Sequence, residues 1–319
     1  MFGNVYEHRK YYIFAFLQSY SMSDIFEDKL PYPMRVKFKS YFKEYYDSVF
    51  VAFMPFYKVE DVKKGWLDFD IPDPNDRFSP SDKEIYEKGS PVLWETVIKE
   101  AGFKDESELC KALKTCYGAF RPVFRRDDLV DTLVQYEDNQ DVSRPREDSF
   151  GVLSKIAIYN SFKLLGKNEI IFMDPGSYEM IDEPILLSNY TPFTFSKAVS
   201  WTKAIYSADK ELLFTIYWDQ PFFLIATPKS NLDKLLAQNY FEGFICDEDT
   251  DGDWDYEKEE LERLLEEDKK WREEMTLKYR NTGPLKHPVK QQNTHSEQLQ
   301  NIKPDPLPKD WWKFWKGLF

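Results

Sequence analysis

The sequence predicts an α+β fold: a mostly antiparallel sheet covered by helices, followed by a C-terminal charged helix and a flexible tail. Three observations carry this. Residues 212–218 and 222–227 are two β-branched and aromatic runs separated by Asp219-Gln220-Pro221, a turn signal that makes them a hairpin. Neither run alternates polar with apolar, so both belong in the middle of a sheet with both faces covered. The order of elements does not alternate strictly between strand and helix, which favours antiparallel pairing with helices on at least one face. The composition then breaks after Cys246: residues 247–274 hold fifteen acidic and five basic residues, and the rest of the chain is close to balance at −3 of the total −13. The expected organisation is a core over 1–246, an acidic loop and charged amphipathic helix over 247–280, a disordered linker over 281–308 and an aromatic amphipathic tail over 309–319.

Taken in order, residues 1–30 form an ordered segment rich in Tyr and Phe, broken by Pro31-Tyr32-Pro33. A helix over 34–46 carries Val36, Phe38, Tyr41, Phe42 and Tyr45, and 48–59 reads as one buried strand with Pro55 confining its end to an edge or bulge. Residues 65–82 form a long Pro- and Asp-rich loop. Three helices follow: one opened by Ser90-Pro91 and running to Ala101, one from Asp105 through Tyr117, and one from Asp127 to Tyr136. Residues 135–148 are a polar connection. The strongest helix covers 150–165, with Val152, Leu153, Ile156, Ile158, Tyr159, Phe162 and Leu165 apolar and Gly166 at its stop. A strand over 169–173 ends in Asp174-Pro175-Gly176, a short strand follows at 185–187, and a helix runs from Thr194 or Ser196 to Tyr206. After the hairpin, Ser230 or Asn231 caps a helix over 232–238, and the core closes with a strand ending at Cys246.

A chain of 319 residues can bury a sizeable core, and at 17% aromatic much of that core is rings. Basic residues occur only in short runs, at 35–39 and 121–126, so the broad basic face of a nucleic-acid binder is missing. Cys110, Cys116 and Cys246 form no CxxC pair and suit a reducing cytosol. The apolar run at 11–17 holds two tyrosines and is followed by no small-residue cleavage site, so a buried strand or helix start is preferred to a signal peptide, and no run reaches the roughly eighteen apolar residues of a membrane span. A cytoplasmic protein is the expectation.

The segment SFGVLSKIAIYNSFKLLGKNEIIFMDPG, the hairpin LFTIYWDQPFFLIA and the strand FEGFIC together resemble the uncharacterised bacillary family catalogued as domain of unknown function 2711. The resemblance covers about residues 30–256 and rests on overall pattern. It implies a small bacterial cytosolic protein and transfers no active residue.

Two segments carry candidate sites. Asp247, Asp249, Asp251, Asp253 and Asp255, with Gly252 among them, satisfy the DxDxDG opening of a calcium loop, in which alternate carboxylates converge on one hard cation. The twelfth position is Lys258 where a bidentate Glu belongs, and a strand precedes the loop, so the calcium site expected is a non-EF loop feeding a helix; the plain alternative is a solvated turn whose aspartates favour the following helix start. In the tail, Trp311, Phe314, Trp315, Leu318 and Phe319 share one helical face, with Trp312 and three lysines beside them. That face suits a partner groove, the chain's own core or a membrane interface, and the linker's reach of about 30 Å allows each.

Catalytic constellations are sparse. His8 lies near the N-terminus, His287 and His295 lie in the expected linker, and no nucleophile elbow or phosphate loop occurs. Carboxylates remain: Asp174 and Asp219 foremost, with Glu169 and Asp182, whose ordinary role is turn formation. Cys246 is rejected as a nucleophile because its acidic neighbours disfavour a thiolate. The expected function is a non-enzymatic interaction protein with an unknown protein partner, no nucleic acid and no cofactor. The alternatives are a carboxylate-based, metal-assisted enzyme and a calcium-responsive protein that touches a membrane surface through its tail.

Overall fold

The computed structural model describes residues 32–33, 36–61, 80–147, 149–174, 179–180, 184–200 and 202–282. The chain divides into two compact units, residues 1–266 and 267–319. Ten strands occur among the described residues: β1 Ser48–Phe53, β2 Phe56–Val59, β3 Gly89–Val92, β4 Glu169–Asp174, β5 Glu179–Met180, β6 Ile185–Leu186, β7 Ala204–Ser207, β8 Leu213–Thr215, β9 Phe222–Thr227 and β10 Gly243–Ile245. The helices are α1 Phe38–Phe42, α2 Asp82–Lys88, α3 Trp94–Ala101, α4 Glu106–Cys116, α5 Asp127–Gln140, α6 Val152–Leu164, α7 Pro192–Ala198, α8 Lys229–Leu236 and α9 Lys258–Thr282.

The main sheet runs β10-β1-β9-β8-β7-β4-β5, with β6 also on β4, and all of its pairings are antiparallel. β2 and β3 form a separate antiparallel ribbon. The expected α+β architecture is therefore the observed one. β1, β8 and β9 are buried at every position, because alternate residues feed two cores. Val49, Val51, Phe53, Leu224 and Ala226 point to one face with residues of α1, α3, α4 and α5; Phe50, Ala52, Phe223 and Ile225 point to the other with residues of α6, α7 and α8. A strand with two covered faces has no polar alternation to show, and that is how the hairpin reads in sequence.

The hairpin pairs Leu213 with Ala226 and Thr215 with Leu224, across a connection over 216–221 that is longer than the three-residue turn expected. Several other expectations are corrected. The single strand at 48–59 divides at Met54-Pro55, since Pro55 has no N–H for the ladder and the chain leaves for the second ribbon. Ser90-Pro91 opens no helix: both lie in β3, paired with Tyr57 and Lys58, and the helix starts at Trp94. The helix expected to run to Tyr206 is α7, capped by Thr191 with Pro192 in its first turn; Ile205 and Tyr206 belong to β7. Helix α2 was not expected, although Ser81 and Glu84 form a complete capping box there. The helix placed over 34–46 is one short turn, Phe38–Phe42.

Candidate functional site

The feature with chemical potential is a cavity of about 120 Å³ at the start of α6. Its walls come from Met54 and Pro55 after β1, from β2 (Tyr57), from α2 (Asp82, Ile85), from residues 145–147 and 149–151, and from the first turn of α6. Each wall is held by local chemistry. The capping box of Ser81 and Glu84 fixes Asp82 as the first residue of α2. A two-way backbone bridge between Tyr57 and Ser143, at 3.0 and 2.8 Å, ties the 145–151 connection to β2. Phe150, buried and packed edge-on against Phe223 at 5.3 Å, anchors the entry to α6. Ile158, Tyr159 and Phe162 then bury that helix in the core.

Gly151 is the N-cap of α6 and offers no side chain to the first free N–H groups. An α-helix start with uncapped amides is a centre of partial positive charge. Lys155, whose amide donates to the Gly151 carbonyl at 2.9 Å, lies one turn in. A helical side chain leans back toward the N-terminus, and the Lys155 chain lines the same cavity while only 5% exposed. Among the described residues its ammonium has no hydrogen-bond or salt-bridge partner. Ser154 beside it is 4% exposed, and among the described residues its Oγ meets no hydrogen-bond partner either.

The charges around the cavity explain this vacancy of partners. Asp82 accepts from Lys197 Nζ at 3.0 Å and faces Arg146 Nη1 at 3.8 Å. Burial would raise the Asp82 carboxyl, but the Lys197 hydrogen bond, with Lys155 and Arg146 nearby, holds it below the usual carboxylate range. One carboxylate is thus engaged by two other cations. Among the described residues, Lys155, Arg146 and Lys197 stand beside Asp82 and Glu147 around the cavity. Burial, reinforced by Lys197 and Arg146 and opposed by Asp82, pushes the Lys155 ammonium down to about 8. The site is therefore arranged to receive an anion, or to present a neutral amine near neutral pH.

The residues expected from sequence lie elsewhere. The five aspartates of 247–255 are not gathered around a common point; among the described residues no group of three or more His, Cys, Asp and Glu side chains is placed to hold a metal. Asp247 Oδ1 accepts from the Asp249 amide at 2.9 Å and from Thr250 Oγ1 at 2.7 Å. Asp251 pairs with Lys37 at 2.9 Å, and Asp255 with Lys114 at 2.7 Å. The loop has found lysines of its own chain. Asp219 sits in the β8–β9 connection at φ 60°, and Glu169 opens β4. Asp174 ends β4; its side chain and all of Asp182 lie outside the described residues. Burial, with Asp247 adding to it, pushes the Cys246 thiol up to about 12, consistent with its rejection as a nucleophile. Trp311, Trp312, Phe314, Trp315, Leu318 and Phe319 lie outside the described residues. Among those described, no helix is long and apolar enough to cross a membrane.

In sequence, residues 150–165 read as a core helix alone, and the cavity is not foreseen there. The signal was present. Lys155, Ile158, Tyr159 and Phe162 recur at i, i+3, i+4 and i+7, so a lysine occupies the buried stripe.

The family whose model matches residues 34–256 is described as protein of unknown function (DUF2711). A curated relative, the uncharacterized protein YwbB of Bacillus subtilis (strain 168), is 27% identical over 217 residues, covering 66% of this chain and 90% of its own length. No solved structure matches the chain.

Proposed function

The chain belongs to the DUF2711 family, and from that premise we propose that it binds a small carboxylate or oxyanion in the cavity at the start of α6, with Lys155 as the recognising cation. One observation carries the reading: a lysine 5% exposed, without a partner among the described residues, on the first turn of a helix whose amides have no side-chain cap. A buried cation left alone is costly, and an anion held between the helix start and Lys155 removes that cost. The Ser154 hydroxyl offers a further donor, and Arg146 adds charge at the rim. At about 120 Å³ the cavity is below the range of cofactor and drug-sized pockets, so the ligand is a few atoms across.

The test is calorimetric titration of the full chain with acetate and with sulfate at neutral pH. Heat of binding in the wild type, absent in Lys155→Met with far-UV circular dichroism unchanged, supports the reading. A flat wild-type titration with both anions overturns it.

A further inference from the structure

We propose that Lys155 is a nucleophile that forms an imine with a short 2-oxo carboxylic acid bound in the α6 cavity. This rests on the anion-site reading above, because the helix start and Arg146 supply the charge that receives the carboxylate while Lys155 receives the carbonyl carbon.

Two features separate this amine from an ordinary anion-binding lysine. Its surroundings on one side are apolar: Met54, Ile85, Phe150 and Val152 share the cavity wall. Two other cations, Lys197 and Arg146, stand around it and engage Asp82, the carboxylate that acts on its charge among the described residues. Desolvation in an apolar wall and a neighbouring cation are the two devices that make a lysine amine nucleophilic, and here they occur together. Consistent with this geometry, an ammonium titrating at about 8 leaves roughly one tenth of the amine neutral at pH 7, over a hundred times more than an exposed lysine. A short 2-oxo acid also matches the small volume of the cavity.

The step balances without an oxidant or reductant. The neutral nitrogen attacks the carbonyl carbon, a C–N bond forms, and the C–O π pair moves to oxygen, giving a carbinolamine after proton transfer. The nitrogen lone pair then forms the C=N bond as the C–O bond breaks. The two hydrogens lost from nitrogen leave with the oxygen as water. Ser154 and Glu147 in the wall are groups of the right type to relay those protons.

The experiment is borohydride trapping of the full chain with pyruvate, read by intact mass and peptide mapping and run with and without excess sulfate. The expected result is one reduced adduct on the peptide carrying Lys155, suppressed by sulfate and lost in Lys155→Arg, a variant that keeps the positive charge and its anion binding. Should that variant fail to fold, sulfate protection in the wild type carries the test alone. Calorimetric binding of pyruvate, displaced by sulfate but with Lys155 unmodified after borohydride, overturns the imine and leaves the anion site standing. An adduct spread over exposed lysines such as Lys83 without sulfate protection also overturns the imine. No heat from either anion together with no adduct overturns both readings.

Discussion

Lys114 of α4 and Asp255 of the acidic loop meet at 2.7 Å with side chains 3% and 0% exposed. Burial alone would lower the Lys114 ammonium, yet the Asp255 charge wins and holds it above its ordinary value. Next to them Trp254 packs against Phe53, Phe222 and Phe244, with centroids 5.7, 5.8 and 5.0 Å away. A loop rich in aspartate is thus fastened to the core through one buried ion pair and one indole.

Removing one partner of such a pair strands the other charge. Asp255→Ala is expected to cost about 3–5 kcal/mol in urea denaturation, whereas the double replacement Lys114→Met with Asp255→Leu recovers most of that loss. Equal destabilisation of the single and double variants would show that the pair contributes packing alone.

Calcium is expected to give no heat with the wild-type chain. Lys37 and Lys114 already occupy Asp251 and Asp255, and a divalent ion would have to displace two ammonium groups while the remaining carboxylates turn inward. Micromolar binding abolished by Asp249→Ala with Asp251→Ala would instead mean that the loop reorganises around the metal.

Glu242, just before β10, accepts from the backbone amides of Trp94 and Glu95 at 2.6 and 2.8 Å, capping α3 from 148 positions away in the chain. Burial raises its carboxyl despite those amides, so part of the gain is spent on desolvation. Glu242→Ala is expected to lower stability by about 1–2 kcal/mol through loss of the cap. Thermal melting checks this, and an unchanged midpoint would contradict a capping role.

Sulfate affinity is expected to be level below about pH 8 and to fall as pH rises further. The free Lys155 ammonium titrates at about 8, and above that pH binding must first add a proton, for a loss of up to about tenfold per pH unit. Calorimetry between about pH 7 and pH 9 measures it.

The same depressed ammonium has a stability signature. The folded chain releases the Lys155 proton near 8, while the unfolded chain keeps it to about 10.4, so the unfolded state holds more protons between those values. Wild-type stability relative to Lys155→Met is therefore expected to rise with pH across that window. A difference that stays flat would show that the amine is solvated in the folded protein.

Much of the fold was legible because it is written in local pattern. The unbroken apolar runs of β8 and β9, the helix periodicity of 150–165 and the charge break after Cys246 all reflect environments that neighbouring residues share. Ser90-Pro91 misled because a helix-start signal and a strand bound to β2 look alike until the partner strand is known. Lys155 was visible as a lysine on an apolar stripe, but its lack of a partner depends on Asp82 being engaged by Lys197, 115 residues further on. The fate of the acidic loop likewise depends on Lys37, more than 200 positions before Asp251, and on Lys114, 141 positions before Asp255. The antiparallel core strands, their covering helices and the charge of each segment follow from the residues alone, since propensity and burial pattern act over a few residues. Which charges meet, and which one is left alone at a helix start, only the tertiary structure decided, because Coulomb and hydrogen-bond contacts act at a few ångströms whatever the distance along the chain.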